Sequence, residues 1–325
     1  MIQLTNIDRQ HKELHNQLYI AQTEVLKSGQ VMLGKFTQKL EERIAEFSQA
    51  KYCSIVGSGS DALMYGLMAT KTRQVTMPAQ TFKATKNSCT RAYISVVYND
   101  VDEKGCMNWN TIERKDVIWV GLFGNDTTPP KDINLYEDGA QHFGLPLKGI
   151  FASYSFDPTK TLPNFGNGGC VVTNELDIYE NINQLRRHGS VIYYTGGNSI
   201  MSERDCAELL VKLKYFDIWK ERRQEIANFY KQNLSPYVKI ITDVDGIVSK
   251  FVVATEQKIE LKSYLISKGI QCKDVYESAI AELPQAVKNC NEFLSIPCDS
   301  YTTCEEASTV VDIIKSFFEP SPFKT

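Results

Sequence analysis

The chain has 325 residues, with 36 Lys+Arg against 39 Asp+Glu for a formal charge of −3, and 42% of its residues are hydrophobic. That excludes an intrinsically disordered chain and a disulfide-stapled miniprotein, and the length suits about two domains around a large core. With no Lys/Arg block a nucleic-acid partner is not expected, and without an apolar leader or a run of about 18 apolar residues a soluble, cytoplasmic protein is.

Helical spacing opens the chain over residues 7–28 and 36–49, where Leu14, Leu18, Ala21 and Val25, then Phe36, Leu40, Ile44 and Phe47, recur on one face. His11 and His15 stand at a metal-ligand spacing, but no third ligand accompanies them and the helix is polar there, so a solvated face is the reading and no metal is expected. Seven short apolar runs follow, at 52–56, 75–77, 94–98, 117–122, 133–136, 150–154 and 170–173. Several are β-branched and lack strict alternation, which predicts strands buried on both faces, as in a mostly parallel α/β sheet covered by helices. A helix near 175–187, a Gly196-Gly197-Asn198 turn and one long helical pattern over 203–233 come next. Pro236 marks a break, after which strand patches at 237–242 and 251–254 and helical patterns at 257–268 and 305–318 predict a smaller α+β unit. The expected division is 1–235, a helical arm with the large domain, and 236–325, a small C-terminal domain. The nine cysteines stand singly, without a Cys-x-x-Cys pair, and read as reduced and mostly buried.

Four segments near strand ends carry candidate chemistry, because open α/β sheets bind ligands there. Val56-Gly57-Ser58-Gly59-Ser60-Asp61-Ala62 is a glycine-rich turn into a helix whose free N–H groups suit an anion. It is not a Walker loop, and although it fits a loose G-x-G-x-x-A pattern, the acidic residue a dinucleotide site needs about 20 positions on is missing. Glu137-Asp138 follows a strand, where a carboxylate can pair with a cationic ring nitrogen or simply cap a turn. Lys160, soon after Ser153-Tyr154-Ser155, can form a Schiff base if burial lowers its pKa; alone it reads as a surface lysine. Gly196-Gly197-Asn198-Ser199, alone, is a loop.

Taken in order and spacing, these segments resemble the DegT-type sugar-nucleotide aminotransferases, fold-type I pyridoxal phosphate enzymes. The likeness runs from Ser28-Gly29 and Gly34 through Ser58-Gly59-Ser60-Asp61-Ala62-Leu63, Pro78-Ala79-Gln80-Thr81-Phe82, Glu137-Asp138-Gly139-Ala140-Gln141 and Ser155-Phe156-Asp157-Pro158-Thr159-Lys160 to Gly168-Gly169 and Arg187-His188-Gly189, with a fainter echo in Leu294-Ser295-Ile296-Pro297. The resemblance implies a fold-type I architecture with pyridoxal 5′-phosphate as cofactor and its pyridoxamine form as intermediate. By that resemblance Lys160 carries the cofactor and shuttles the proton, Asp138 keeps the pyridine nitrogen protonated, Phe82 stacks on the ring and Gln141 lies near the ring hydroxyl. Ser155, with the N–H groups of Gly59 and Ser60, holds the phosphate. Asn198 reaches the phosphate of a neighbouring subunit, which implies a homodimer with shared sites.

The implied reaction moves an amino group from a donor, glutamate, to a keto sugar on a nucleotide. Two rivals are a pyridoxamine-dependent sugar dehydratase, against which Lys160 argues because those relatives usually carry His, and a catalytically silent paralogue acting as a binding subunit. Three departures touch the substrate pocket: Ile200 replaces a frequent arginine, Gly121 replaces the family's usual His, and Val275-Tyr276-Glu277-Ser278-Ala279 stands where a Tyr-x-x-Pro-Leu-His-like segment is usual.

Overall fold

The computed structural model describes residues 1–190 and 194–319. Two helices, α1 (Ile7–Ser28) and α2 (Lys35–Phe47), precede the sheet. α1 buries Leu14, Leu18, Ala21 and Val25, the stripe its spacing predicts, and ends where Gly29 turns left-handed at φ 67°. The next elements are β1 (Tyr52–Val56), α3 (Gly59–Thr70), β2 (Gln74–Pro78), α4 (Lys83–Arg91), β3 (Ser95–Asn99), β4 (Asp116–Val120), β5 (Asn134–Asp138), β6 (Phe151–Ser155) and β7 (Gly169–Thr173).

All seven predicted strands form, and they join in one sheet of order β1-β7-β6-β5-β4-β2-β3. The pairs from β6 through β3 are parallel, while β7 runs antiparallel to both β1 and β6. The sheet is covered on both faces, which explains the unbroken apolar runs. Phe151 and Val171 point to a core shared with α3, whereas Ala152, Tyr154, Cys170 and Val172 point to one shared with α1 and α2. α3 is buried on nearly every side, and an added Cβ at Gly66 would lie 2.5 Å from the Phe151 ring.

Beyond the sheet come α5 (Leu176–Leu185), the hairpin β8 (Arg187–Ser190) and β9 (Tyr194–Asn198), α6 (Glu203–Leu213) and α7 (Phe216–Leu234). Two expectations are corrected here. Gly196, Gly197 and Asn198 lie in strand β9, not in a turn. The single long helix is two, broken at Lys214 and Tyr215; Tyr215 stays near helical values (φ −102°, ψ −1°), and neither Gly nor Pro marks the bend, so the apolar spacing runs through it.

The remaining elements are β10 (Lys239–Ile240), β11 (Phe251–Ala254), α8 (Lys258–Ser267), β12 (Lys273–Asp274), α9 (Pro284–Glu292), β13 (Phe293–Ile296) and α10 (Cys304–Phe318). The four strands make an antiparallel sheet of order β10-β11-β13-β12. One face packs on α7, α8 and α10 through residues such as Val253, Leu261, Leu294 and Val310, and the other presents Val252 and Phe293 to the large sheet's core. α10 opens with a reciprocal capping box between Thr303 and Glu306. Seven cysteines are buried, Cys272 is half-buried and Cys304 exposed, all as free thiols. Among the described residues no helix is long and apolar enough to cross a membrane.

Candidate active site

Because β4, β5 and β6 are parallel neighbours, their last residues, Val120, Asp138 and Ser155, come out at one edge of the sheet. They open onto a cavity of about 450 Å³ whose opposite wall is the small sheet. Of the eight residues expected to form the site, seven line it: Gly59, Ser60, Phe82, Asp138, Gln141, Ser155 and Lys160. Asn198 does not; it is exposed at the end of β9, paired with Arg187.

The glycine-rich turn becomes the N-terminus of α3. Ser58 caps it by accepting from Asp61 N at 3.1 Å, which leaves the N–H groups of Gly59 and Ser60 facing the cavity. The approach of α3 to the sheet is so close that a Cβ on Gly59 would lie 2.5 Å from Ser155 Cβ. A Cβ on Gly169, at the start of β7, would lie 2.5 Å from the Ser58 carbonyl carbon. The two glycines therefore leave no room for a side chain of their own, Gly59 against the Ser155 side chain and Gly169 against the backbone of the turn, at a helix end that favours a phosphate. Ser199, which was read only as part of a loop, ties the hairpin to this turn by accepting from Gly57 N at 2.9 Å and donating to Asp61 at 2.8 Å.

Asp138 is 9% exposed, and its carboxylate accepts from the Thr85 hydroxyl at 2.7 Å and from Ala140 N at 3.3 Å. Thr85 in turn meets Thr81 at 2.8 Å. The nearby Cys89 thiol is pushed up to about 12, by burial and then by the Asp138 charge. Phe82 is half exposed, a large aromatic face left open on the cavity wall, with Tyr276 tilted against it at 5.9 Å. Gln141 is fixed at both ends of its amide: Oε1 accepts from Phe123 N at 2.9 Å and Nε2 donates to the Tyr276 hydroxyl at 2.9 Å. Tyr276 was noticed only as part of a departure from the family pattern, and Thr85 was not noticed at all.

Lys160 closes the turn Asp157-Pro158-Thr159-Lys160, in which its N–H donates to Asp157 O at 2.9 Å and Thr159 N to the Asp157 carboxylate at 2.9 Å. Burial holds the Lys160 ammonium below the ordinary lysine value; Asp138 and Asp157 oppose that, and the Lys273 charge adds to it. Two buried cations hold the following loop from beneath: Lys212 Nζ donates to Pro163 O at 2.7 Å, and Arg223 reaches Thr161 O at 3.5 Å. Lys212 also lies 3.8 Å over the Phe165 ring, and burial pushes it down to about 8.

Gly121 has a physical reason. His142 is fully buried, stacked on Trp119 at 4.6 Å and 3.4 Å from Glu137, and a Cβ on Gly121 would overlap its Nδ1. A histidine at 142 thus fills the space a side chain at 121 would need.

Lys160 and Asp138 thus come together at the strand ends of a mostly parallel sheet, beside a helix N-terminus suited to an anion. The profile of the DegT/DnrJ/EryC1/StrS aminotransferase family matches residues 13–315, and the chain belongs to that family. It is 28% identical to the "pleiotropic regulatory protein" of Geobacillus stearothermophilus over 98% of both chains. It is also similar to the UDP-2-acetamido-2-deoxy-3-oxo-D-glucuronate aminotransferase of Pseudomonas aeruginosa, at 27% identity over 93% of this chain and 96% of the other. In three dimensions it resembles NtdA of Bacillus subtilis, solved with pyridoxamine phosphate bound, at a TM-score of 0.87 and 21% identity over 94% of this chain and 82% of that one.

Proposed function

We propose that the protein transfers an amino group from glutamate to a keto sugar carried on a nucleotide, with pyridoxal phosphate as cofactor and as a homodimer with shared sites. The observation that carries this reading is the arrival of Lys160 and Asp138 in one cavity, with the lysine biased towards its neutral amine. The residues present fit the cofactor: the close approach of Gly59 to the Ser155 side chain at the start of α3 suits its phosphate, and the open face of Phe82 suits its ring.

When bound, the cofactor supplies a cationic ring that draws electrons from the substrate carbon. Asp138 holds the proton on the ring nitrogen, and Thr85 keeps its carboxylate oriented. The Gly59 and Ser60 N–H groups and the Ser155 hydroxyl would hold the phosphate, and Phe82 would pack against the ring. Lys160 Nζ, neutral in a larger fraction than an ordinary lysine, takes the proton from the donor's carbon and returns one to the acceptor's. Asn198 serves the phosphate of the partner's site, consistent with its exposure outside its own cavity.

Borohydride reduction of the protein loaded with pyridoxal phosphate, followed by peptide mapping, tests the reading directly. The adduct is expected on Lys160, and an adduct on another lysine would overturn the assignment. Mass spectrometry of products from a panel of nucleotide keto sugars with glutamate then identifies the acceptor.

A further inference from the structure

We propose that the wall of the cavity made by the small sheet carries an anion-binding subsite, formed by Lys250 and Lys273, for the acid group of the molecule brought to Lys160. This inference rests on the transaminase reading and names what the same site recognises.

The register of the small sheet places the two lysines. Val252 on β11 and Lys273 on β12 both pair with Ser295 of the strand between them, so all three side chains share a face. Lys250 stands two residues before Val252 and falls on that face too. It is the face turned to the large sheet, because Val252 belongs to the core that holds Val56 and Phe151. Lys250, Lys273 and Ser295 all line the cavity.

The neighbouring acid does not neutralise them. Asp274 also borders the cavity, but its carboxylate is engaged by Lys258 and Lys262 of α8, at 3.3 and 2.5 Å. No such ion pair holds Lys250 or Lys273 among the described residues. Burial pushes the Lys250 ammonium down to about 8, with Lys160 and Lys273 adding to the shift and Asp157 opposing it, so Lys250 and Lys273 share one space with Lys160 and that carboxylate. A second, independent observation points the same way. Arg223 also lines the cavity, is only 4% exposed and has its Nη1 buried without a hydrogen-bond partner, with Asp299 as its neighbouring acid, so further buried positive charge borders the same space.

The cofactor does not answer this charge. Its phosphate belongs at the N-terminus of α3 and its ring nitrogen at Asp138, both on the large sheet. The shared chemistry left over is an oxyanion of the reacting ligand, either a carboxylate of the amino donor or the diphosphate of the nucleotide sugar.

The test uses the protein loaded with pyridoxal phosphate, as wild type and as Lys250→Gln, Lys273→Gln and the double variant, titrated calorimetrically with maleate, with UDP and with uncharged uridine. The double variant is expected to bind maleate or UDP at least tenfold more weakly, with uridine binding unchanged and Lys250→Arg retaining most of the affinity. Loss with maleate assigns the subsite to the donor, and loss with UDP to the nucleotide sugar. Wild-type affinity for both anions in the double variant, or no binding of either by the wild type, overturns the subsite; the single variants carry the comparison if the double variant does not fold. The parent reading fails differently, if glutamate leaves the cofactor absorbance of the wild type unchanged.

Discussion

Thr85, on α4, donates its hydroxyl to Asp138 at 2.7 Å, so the carboxylate at the end of β5 is aimed by a helix two strands away in the sheet. A hydrogen bond to a charged acceptor stabilises the ionised form and restricts its rotation. Thr85→Val is expected to keep the fold and lower the rate of the glutamate half-reaction about tenfold, a loss of about 1.4 kcal/mol in barrier terms. Asp138→Asn is expected to be far more damaging, because an amide cannot hold the ring proton by charge. Single-turnover absorbance measurements on both variants check the order.

The lowered pKa of Lys160 has a sign that can be read in the protein before cofactor is added. Its neutral amine becomes available at lower pH than an ordinary lysine's, so the rate of pyridoxal phosphate association is expected to rise with pH and reach half its maximum below the usual value of about 10.4. Removing the neighbouring positive charge in Lys273→Gln is expected to move that midpoint upward. Stopped-flow association across a pH series measures both.

Lys212 reports on the loop that follows Lys160. Its folded value of about 8 lies below the unfolded 10.5, so between those pH values the unfolded chain binds more protons and this group's contribution to stability rises with pH. Lys212→Met removes that dependence together with the bond to Pro163. The variant's melting temperature relative to wild type is therefore expected to be higher at pH 7 than at pH 10, and calorimetry at the two values decides it.

Gly121 and His142 compete for one volume. Gly121→Ala is expected to cost about 1–3 kcal/mol, the usual range for overpacking, and the cost is expected to shrink when His142→Ala is added. Denaturant unfolding of the two single variants and the double variant closes the cycle.

The shared site gives a test by mixing. If Asn198 completes the partner's phosphate site, Asn198→Ala and Lys160→Ala subunits exchanged into one dimer leave one site intact. Activity is expected to reappear on mixing; no recovery despite demonstrated exchange would count against the shared arrangement.

What the sequence made legible was whatever a short segment decides for itself. Each of the seven strands is an apolar run bounded by turns, whereas Lys160 alone reads as a surface lysine and Asp138 as a cap, and only the family resemblance singles them out. Nothing local marks Thr85, and Ser199 reads locally only as part of a loop; each matters through a partner 53 or 138 residues away. The bend at Tyr215 escaped because its backbone remains close to helical. Lys250 and Lys273 became a pair only once β13 was found between their strands, and β13 follows directly on α9 without a break that would separate them in sequence.

The close junction of α3, β6 and β7 also bears on how the protein keeps its shape. Gly59 opens the helix, Ser155 ends β6 and Gly169 begins β7, which runs antiparallel to both β1 and β6, so this junction depends on that edge of the sheet. A ligand clasped there binds the native chain and not the unfolded one, and each tenfold rise in its concentration above the dissociation constant adds about 1.4 kcal/mol to folding. A ligand bound at this junction would thus act as a clamp on the sheet's edge, adding to the stability of the fold in proportion to the logarithm of its supply.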